Sequence, residues 1–243
     1  MCIGLLAASV ILARSTAVIG AVGKAGMLVA VLFGIQTVLF IVSITNTEVA
    51  NTLVAVSAAP LFAAIYQRVF FGQPIGSRLL AVIAVAMLGI GIMVSGSLGR
   101  GNVWGDLAGL GAAAGLGASF VVIRRYRDRT MVPAMGLGGL VAALLALPLA
   151  SPLAATASDF RYLAISGLVV LPLGFGLLAV APRYIPGAEV ALITLLEVVL
   201  GPLWVWLVLG EVPAPAAVLG GSIVIGALAF NSAALMRASR LQE

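Results

Sequence analysis

Residues 188–211 read Ala188-Glu-Val-Ala-Leu-Ile-Thr-Leu-Leu-Glu-Val-Val-Leu-Gly-Pro-Leu-Trp-Val-Trp-Leu-Val-Leu-Gly-Glu211. A helix of about 20 apolar residues, rising 1.5 Å per residue, crosses the roughly 30 Å hydrocarbon core of a bilayer. This stretch is long and apolar enough to do so. Glu197 stands near its middle, where a charge costs about 2.5–3.5 kcal/mol on insertion scales and calls for a partner, a proton or a polar cavity. Pro202, beside Gly201, cannot donate to the carbonyl of Val198, so the segment carries a helix-break candidate close to an intramembrane acid.

The rest of the chain is similar in character. Of 243 residues, 63% are hydrophobic and 9% charged, and mean hydropathy is +1.23. Soluble domains carry roughly 25% charged residues, so the expected class is an all-α integral membrane protein with membrane lipid as its surroundings. There is no His, and Cys2 is the single cysteine. The usual zinc, haem and Cys/His nucleophile chemistries are therefore not expected, nor is any metal, cofactor or intrachain disulfide. The net charge of +5 forms no basic patch on a soluble face, so nucleic acid is not an expected partner.

Eight spans of about 19–24 residues follow one another: Gly26–Ile44, Glu48–Phe71, Arg78–Gly96, Trp104–Ile123, Met131–Ala150, Phe160–Ala181, Pro186–Leu209 and Ala214–Leu235. Ser15–Ala25 reads as a loop. Met1–Ala13 is apolar but too short to span; a signal peptide, a re-entrant helix and the remnant of a longer span compete for it. With the carboxyl terminus placed in the cytoplasm, Arg14, Lys24, Arg68, Arg78, Arg124, Arg125, Arg127, Arg129, Arg183, Arg237 and Arg240 fall inside. Only Arg100 and Arg161 fall outside. The positive-inside rule selects that orientation, in the cytoplasmic membrane. The Arg124–Arg129 run is accordingly topology charge.

Sliding the chain by 138 residues lays Glu48–Phe71 and Arg78–Gly96 over Pro186–Leu209 and Ala214–Leu235, and Gly72-Gln73 over Gly210-Glu211. Hydropathy and turns match more than identity does. The division that follows is 1–97 for a first repeat, 102–236 for a second and 237–243 for a cytoplasmic tail. The second half holds five helices, the first three and part of a fourth. A five-helix repeat inserts its halves with opposite topology, so the expected architecture is two inverted repeats of a ten-helix design, lacking the first helix and part of the second. A late start codon and a shorter protein are both open explanations.

Leu195-Leu-Glu-Val-Val-Leu-Gly-Pro-Leu203, with Leu209-Gly-Glu211 closing the span, resembles the EamA-like family of the drug/metabolite transporter superfamily. So do Ala59-Pro-Leu61, Phe71-Gly-Gln73 and the Arg-rich turn after the Gly/Ala-rich Trp104–Ile123 span. Two departures stand out: Val198 where the family often has proline, and Gln73 where it usually has Glu. The resemblance implies a secondary transporter of small metabolites or drugs, often an exporter. The alternative is a non-transporting or nonfunctional truncated member. An intramembrane enzyme is disfavoured, because Glu197 is the sole deep acid and no His exists to work with it.

The candidate substrate or proton pathway consists of Glu197 with Thr194, Gly201 and Trp204, which share a helix face at spacings of three, four and seven, together with Gln36, Asn51 and Ser57 from the first half. Protons and a homodimer are compatible partners alongside the small-molecule substrate. The plain alternative for Glu197 is a structural carboxylate hydrogen-bonded across the bundle. Pro60, Pro172 and Pro202 are the helix-break candidates; broken helices line cavities in transporters, but proline is also frequent in ordinary transmembrane helices. Glu189 reads as an interfacial acid and Glu211 as a turn residue. Gly105, Gly109, Gly111, Gly115 and Gly117 predict close helix packing. Trp104 reads as an interface anchor and Asp106 as a helix cap.

Overall fold

The computed structural model describes residues 23–47, 49–72, 74–93, 95, 102–149, 157–209 and 215–240. Met1–Ala13, Arg14, Gln73, Arg100 and Glu211, which the sequence analysis interprets, lie outside them. Every described element is helical. In chain order they are α1 (Gly23–Asn46), α2 (Val49–Val56), α3 (Ala59–Phe71), α4 (Ser77–Met93), α5 (Val103–Arg125), α6 (Val132–Ala146), α7 (Ala157–Ile165), α8 (Leu171–Val180), α9 (Gly187–Leu209) and α10 (Pro215–Arg240). Among the described residues, four segments are long and apolar enough to cross a membrane: Gly23–Asn46, Asn51–Phe71, Val103–Arg125 and Arg161–Arg183.

The bundle is built around α5, whose glycines admit its neighbours. A Cβ at Gly109 would lie 2.9 Å from both Ala55 and Ser43 side chains, and one at Gly115 would lie 2.8 Å from Gln36. A Cβ at Gly117 would meet the backbone of α3. Helices α1, α2 and α3 can therefore press directly onto α5, the close approach that the glycine spacing predicts. One apolar core joins α3, α4, α5, α9 and α10 through residues such as Ile83, Phe120, Leu192 and Val224. A second joins α1, α6 and α8 through Phe33, Met135 and Ala179. There Phe33 and Phe175 meet edge to face at 4.7 Å.

Element bounds recur at the offset of 138. The α2–α3 segment runs from Val49 to Phe71 and α9 from Gly187 to Leu209; α4 starts at Ser77 and α10 at Pro215. α4 and α10 also pack on each other, with Gly89 against the carbonyl oxygen of Gly220.

Several local expectations are corrected. The Glu48–Phe71 span is two helices, because Pro60 has no N–H for the carbonyl of Val56 and the chain turns at Ser57 and Ala58. Other polar groups at the turn are bonded locally: Ser57 Oγ donates to the Val54 carbonyl at 2.6 Å, and the Ala58 N–H donates to the Ala55 carbonyl at 3.1 Å. Ahead of Pro172, Ser166–Val170 widens to a π-helix. Pro202 breaks nothing: α9 is continuous, since the loss of one bond leaves the neighbouring turns intact. Lys24 and Ala25, expected in a loop, begin α1, and α10 continues to Arg240, into the expected tail. Gly72 ends α3 in the left-handed region, φ 62°, with its N–H on the Arg68 and Gln67 carbonyls.

Candidate functional site

On α9 the buried positions Ala188, Ala191, Leu192 and Leu195 recur every three or four residues and form the inner stripe. Ile193, Glu197, Leu200, Trp204 and Leu207 recur in the same way on another face, and all are exposed. Glu197 is thus not enclosed by packed helices; it projects from an open face at mid-helix. Trp204, two turns on, is 60% exposed. Thr194 is half-buried, and its Oγ1 donates to the Ala191 carbonyl at 2.7 Å, so its hydroxyl proton is engaged by its own helix. Gly201 lies within α9 between Glu197 and Trp204.

The first-half candidates sit elsewhere. Gln36 is buried where α1 crosses α5 at Gly115, and its Oε1 accepts no hydrogen bond. Asn51 donates from Nδ2 to Thr47 Oγ1 at 3.1 Å and leaves its buried Oδ1 unpaired. Thr47 in turn donates to Asp106 Oδ1 at 2.7 Å. Asp106 therefore fastens the end of α1 to α5. The cap of α5 is Asn102, which accepts from the Trp104 N–H at 3.1 Å. Trp104 is exposed beside it. Ser57 is fully buried at the α2–α3 break. The seven pathway candidates are thus spread over an α9 face, the α1–α5 contact and the α2 region.

Arg78, Arg124, Arg127 and Arg183 gather at the opposite end of α5 from Asp106. Arg124 Nη1 donates to the Arg183 carbonyl at 2.8 Å, and Arg183 Nε donates to the Arg127 carbonyl at 2.8 Å. Arg78 and Arg124 both attract Glu189, which opens α9. Sequence reading passed over two buried polar groups, Gln67 Nε2 and Asn231 Oδ1, which have no partner. The available signal was a polar residue inside an otherwise apolar span. Among the described residues, no group of three or more His, Cys, Asp or Glu could hold a metal ion.

These features sit on a chain whose residues 103–233, more than half its length, match a known family. The chain belongs to the EamA-like transporter family. Membership points to a membrane transporter of small molecules, set in the membrane by several apolar helices and in contact with lipid. The family is not one of enzymes. No curated protein matches this EamA-family chain. Eighteen solved chains do. One, described only as "Crystal structure of protein", is 16% identical, covers 100% of this chain and 97% of its own, and superposes with a TM-score of 0.67. That likeness concerns the fold alone.

Proposed function

We propose that this chain is a secondary transporter that exports small metabolites or drugs by alternating access, through two inverted repeats, with its carboxyl terminus in the cytoplasm. The observation that carries the reading is the open face of α9. A carboxylate at mid-helix on a face that met only hydrocarbon would cost about 2.5–3.5 kcal/mol. A water-filled path along Ile193, Glu197, Leu200, Trp204 and Leu207 removes that cost. Such a path offers a substrate an acid, an indole and apolar side chains, a lining suited to cationic or amphipathic solutes. The recurrence of element bounds at 138 residues supports the repeat, and the clustering of arginines at one end supports the orientation.

Under this reading Glu197 is the first residue to test as a proton carrier, with Thr194, Gly201 and Trp204 beside it. Pro60 and Pro172, at the two interrupted spans, are the positions about which the halves would flex.

Water access tests the path directly. Cys2 is the single native cysteine, so a Cys2→Ser background can carry one reporter. Glu197→Cys in proteoliposomes should react with a membrane-impermeant maleimide, whereas Leu88→Cys, on an exposed apolar position of α4, should not. Equal inertness of both would place Glu197 against lipid and overturn the reading. Export is then assayed in cells against a panel of amino acids and toxic analogues. Efflux no greater than that of cells lacking the protein, for every solute, with the chain folded in the membrane, would count against transport. Unchanged pH dependence of transport in Glu197→Gln would remove that residue as the proton carrier.

A further inference from the structure

A cleft of about 270 Å³ opens at the arginine-rich end, between α3, the last turns of α5 and the turn that follows. It is lined by Gln67, Phe71, Val121, Arg124, Arg125 and Arg127. None of these described lining residues is an acid. Three arginines line this one small volume, and Arg124 and Arg127 are close enough to repel each other.

The arginines are held rather than loose. Backbone carbonyls of Pro182 and Arg183 accept from Arg124 at 3.4 and 2.8 Å, which fixes the group without neutralising it. Arg125 lies 6.0 Å from the centroids of both the Phe71 and Tyr126 rings. The Arg127 backbone is tied down through Arg183 Nε. Glu189 draws on Arg124 from the α9 side but also answers Arg78. Asp128 follows Arg127 in the chain and is exposed.

The second observation is Gln67. It is only 8% exposed, lines the cleft, and its Nε2 has no acceptor. A buried donor left unpaired is costly, and this one is closed to solvent, so an incoming acceptor would relieve it only if the side chain turned toward the cleft. The arginines of the cleft are therefore donors with room beside them for one acceptor-rich anion. Guanidinium forks match the paired oxygens of a phosphate, and basic pockets between membrane helices are a known form of headgroup site. We propose that this cleft binds a phosphate group. It stands apart from the α9 face, so its test does not depend on transport.

A phospholipid headgroup and a soluble phosphate share this chemistry, and two arms separate them. The purified full chain in phosphatidylcholine nanodiscs is titrated with inorganic phosphate, and separately prepared with increasing phosphatidylglycerol. Thermal stability is the readout. A saturable rise with phosphatidylglycerol alone assigns the site to a lipid headgroup; a rise with inorganic phosphate assigns it to a soluble ligand. Arg127→Gln should weaken the response about tenfold or more, as the loss of a charge-assisted hydrogen bond implies. Gln67→Glu, which places an acceptor where the donor stood, should weaken it as well. Arg127 is exposed, so its replacement leaves the packing alone and the test survives even if Gln67→Glu does not fold. Arg129→Gln removes the same charge outside the cleft lining and should respond like the wild type. No rise in either arm, or an equal loss in Arg127→Gln and Arg129→Gln, would overturn the proposal.

Discussion

Replacing Gly117 by alanine adds one methyl group where two helix backbones cross closely. An ideal Cβ there would lie 2.8 Å from the Ala59 carbonyl oxygen, 2.8 Å from the Ala63 nitrogen and 3.2 Å from the Phe62 Cβ. Ordinary contact begins at 3.4 Å, so the first two approaches are each short by 3.4 − 2.8 = 0.6 Å. Both are backbone atoms of α3, which cannot rotate away, and Ala59 and Ala63 are buried. Helix α3 must move, and overpacking of this kind costs about 1–3 kcal/mol. Alanine also gains about 1 kcal/mol of helix propensity over glycine. Gly226→Ala isolates that gain, since a Cβ at Gly226 in α10 meets nothing within 4 Å. The difference between the two variants is then the overpacking term alone. At about 2–4 °C per kcal/mol for a chain of this size, Gly117→Ala should unfold roughly 2–12 °C below Gly226→Ala. Far-UV circular dichroism of the purified protein, at one fixed scan rate, measures this. Equal transition temperatures would refute the close crossing of α3 and α5.

Thr47→Val removes the donor to Asp106 at 2.7 Å and the acceptor of Asn51 at 3.1 Å, and should lower stability by about 1–2 kcal/mol in the same assay. Ser43 and Thr52 share a buried hydroxyl–hydroxyl bond of 2.7 Å. Ser43→Ala and Thr52→Val should therefore each destabilise by about 1–3 kcal/mol, while the double variant loses clearly less than their sum, read as a double-mutant cycle. Asn102→Ala should cost about 1 kcal/mol by uncapping α5, a loss that Asn102→Asp avoids.

What could be read in advance follows from the period of the signal. Apolar runs of bilayer length fix helices whatever their partners, so the spans stand close to their expected places. Glycines at steps of four mark a close face on α5 because the feature is local to one helix. The Asp106–Thr47 bond joins residues 59 apart, and no local rule pairs them; a first-turn acid reads as a cap until its partner is known. The outward face of α9 was hidden for a different reason. That helix is apolar almost all round, so the polar stripe that normally tells inside from outside is missing, and Glu197 alone could not say which way it pointed. The Gln67 cleft needs α3, α5 and a turn brought together, which makes the same arginines read as topology charge in sequence and as a lined volume in three dimensions.

The offset of 138 residues gives Glu197 a counterpart, Ala59, whose surroundings differ. Ala59 is 1% exposed, and its carbonyl oxygen is the atom that a Cβ on Gly117 of α5 would strike. Its burial thus comes from a glycine-lined helix laid over the start of α3. Glu197 has no such cover among the described residues. Glu at 197 and Ala at 59 are therefore not interchangeable variants of one structural position. Ala59 belongs to a closed contact and Glu197 to an open face. The unequal break points agree with this, since α2–α3 turns ahead of Pro60 while α9 runs unbroken through Pro202. The two segments share one apolar core, so these matched positions differ in cover and in backbone continuity while their helices pack against each other.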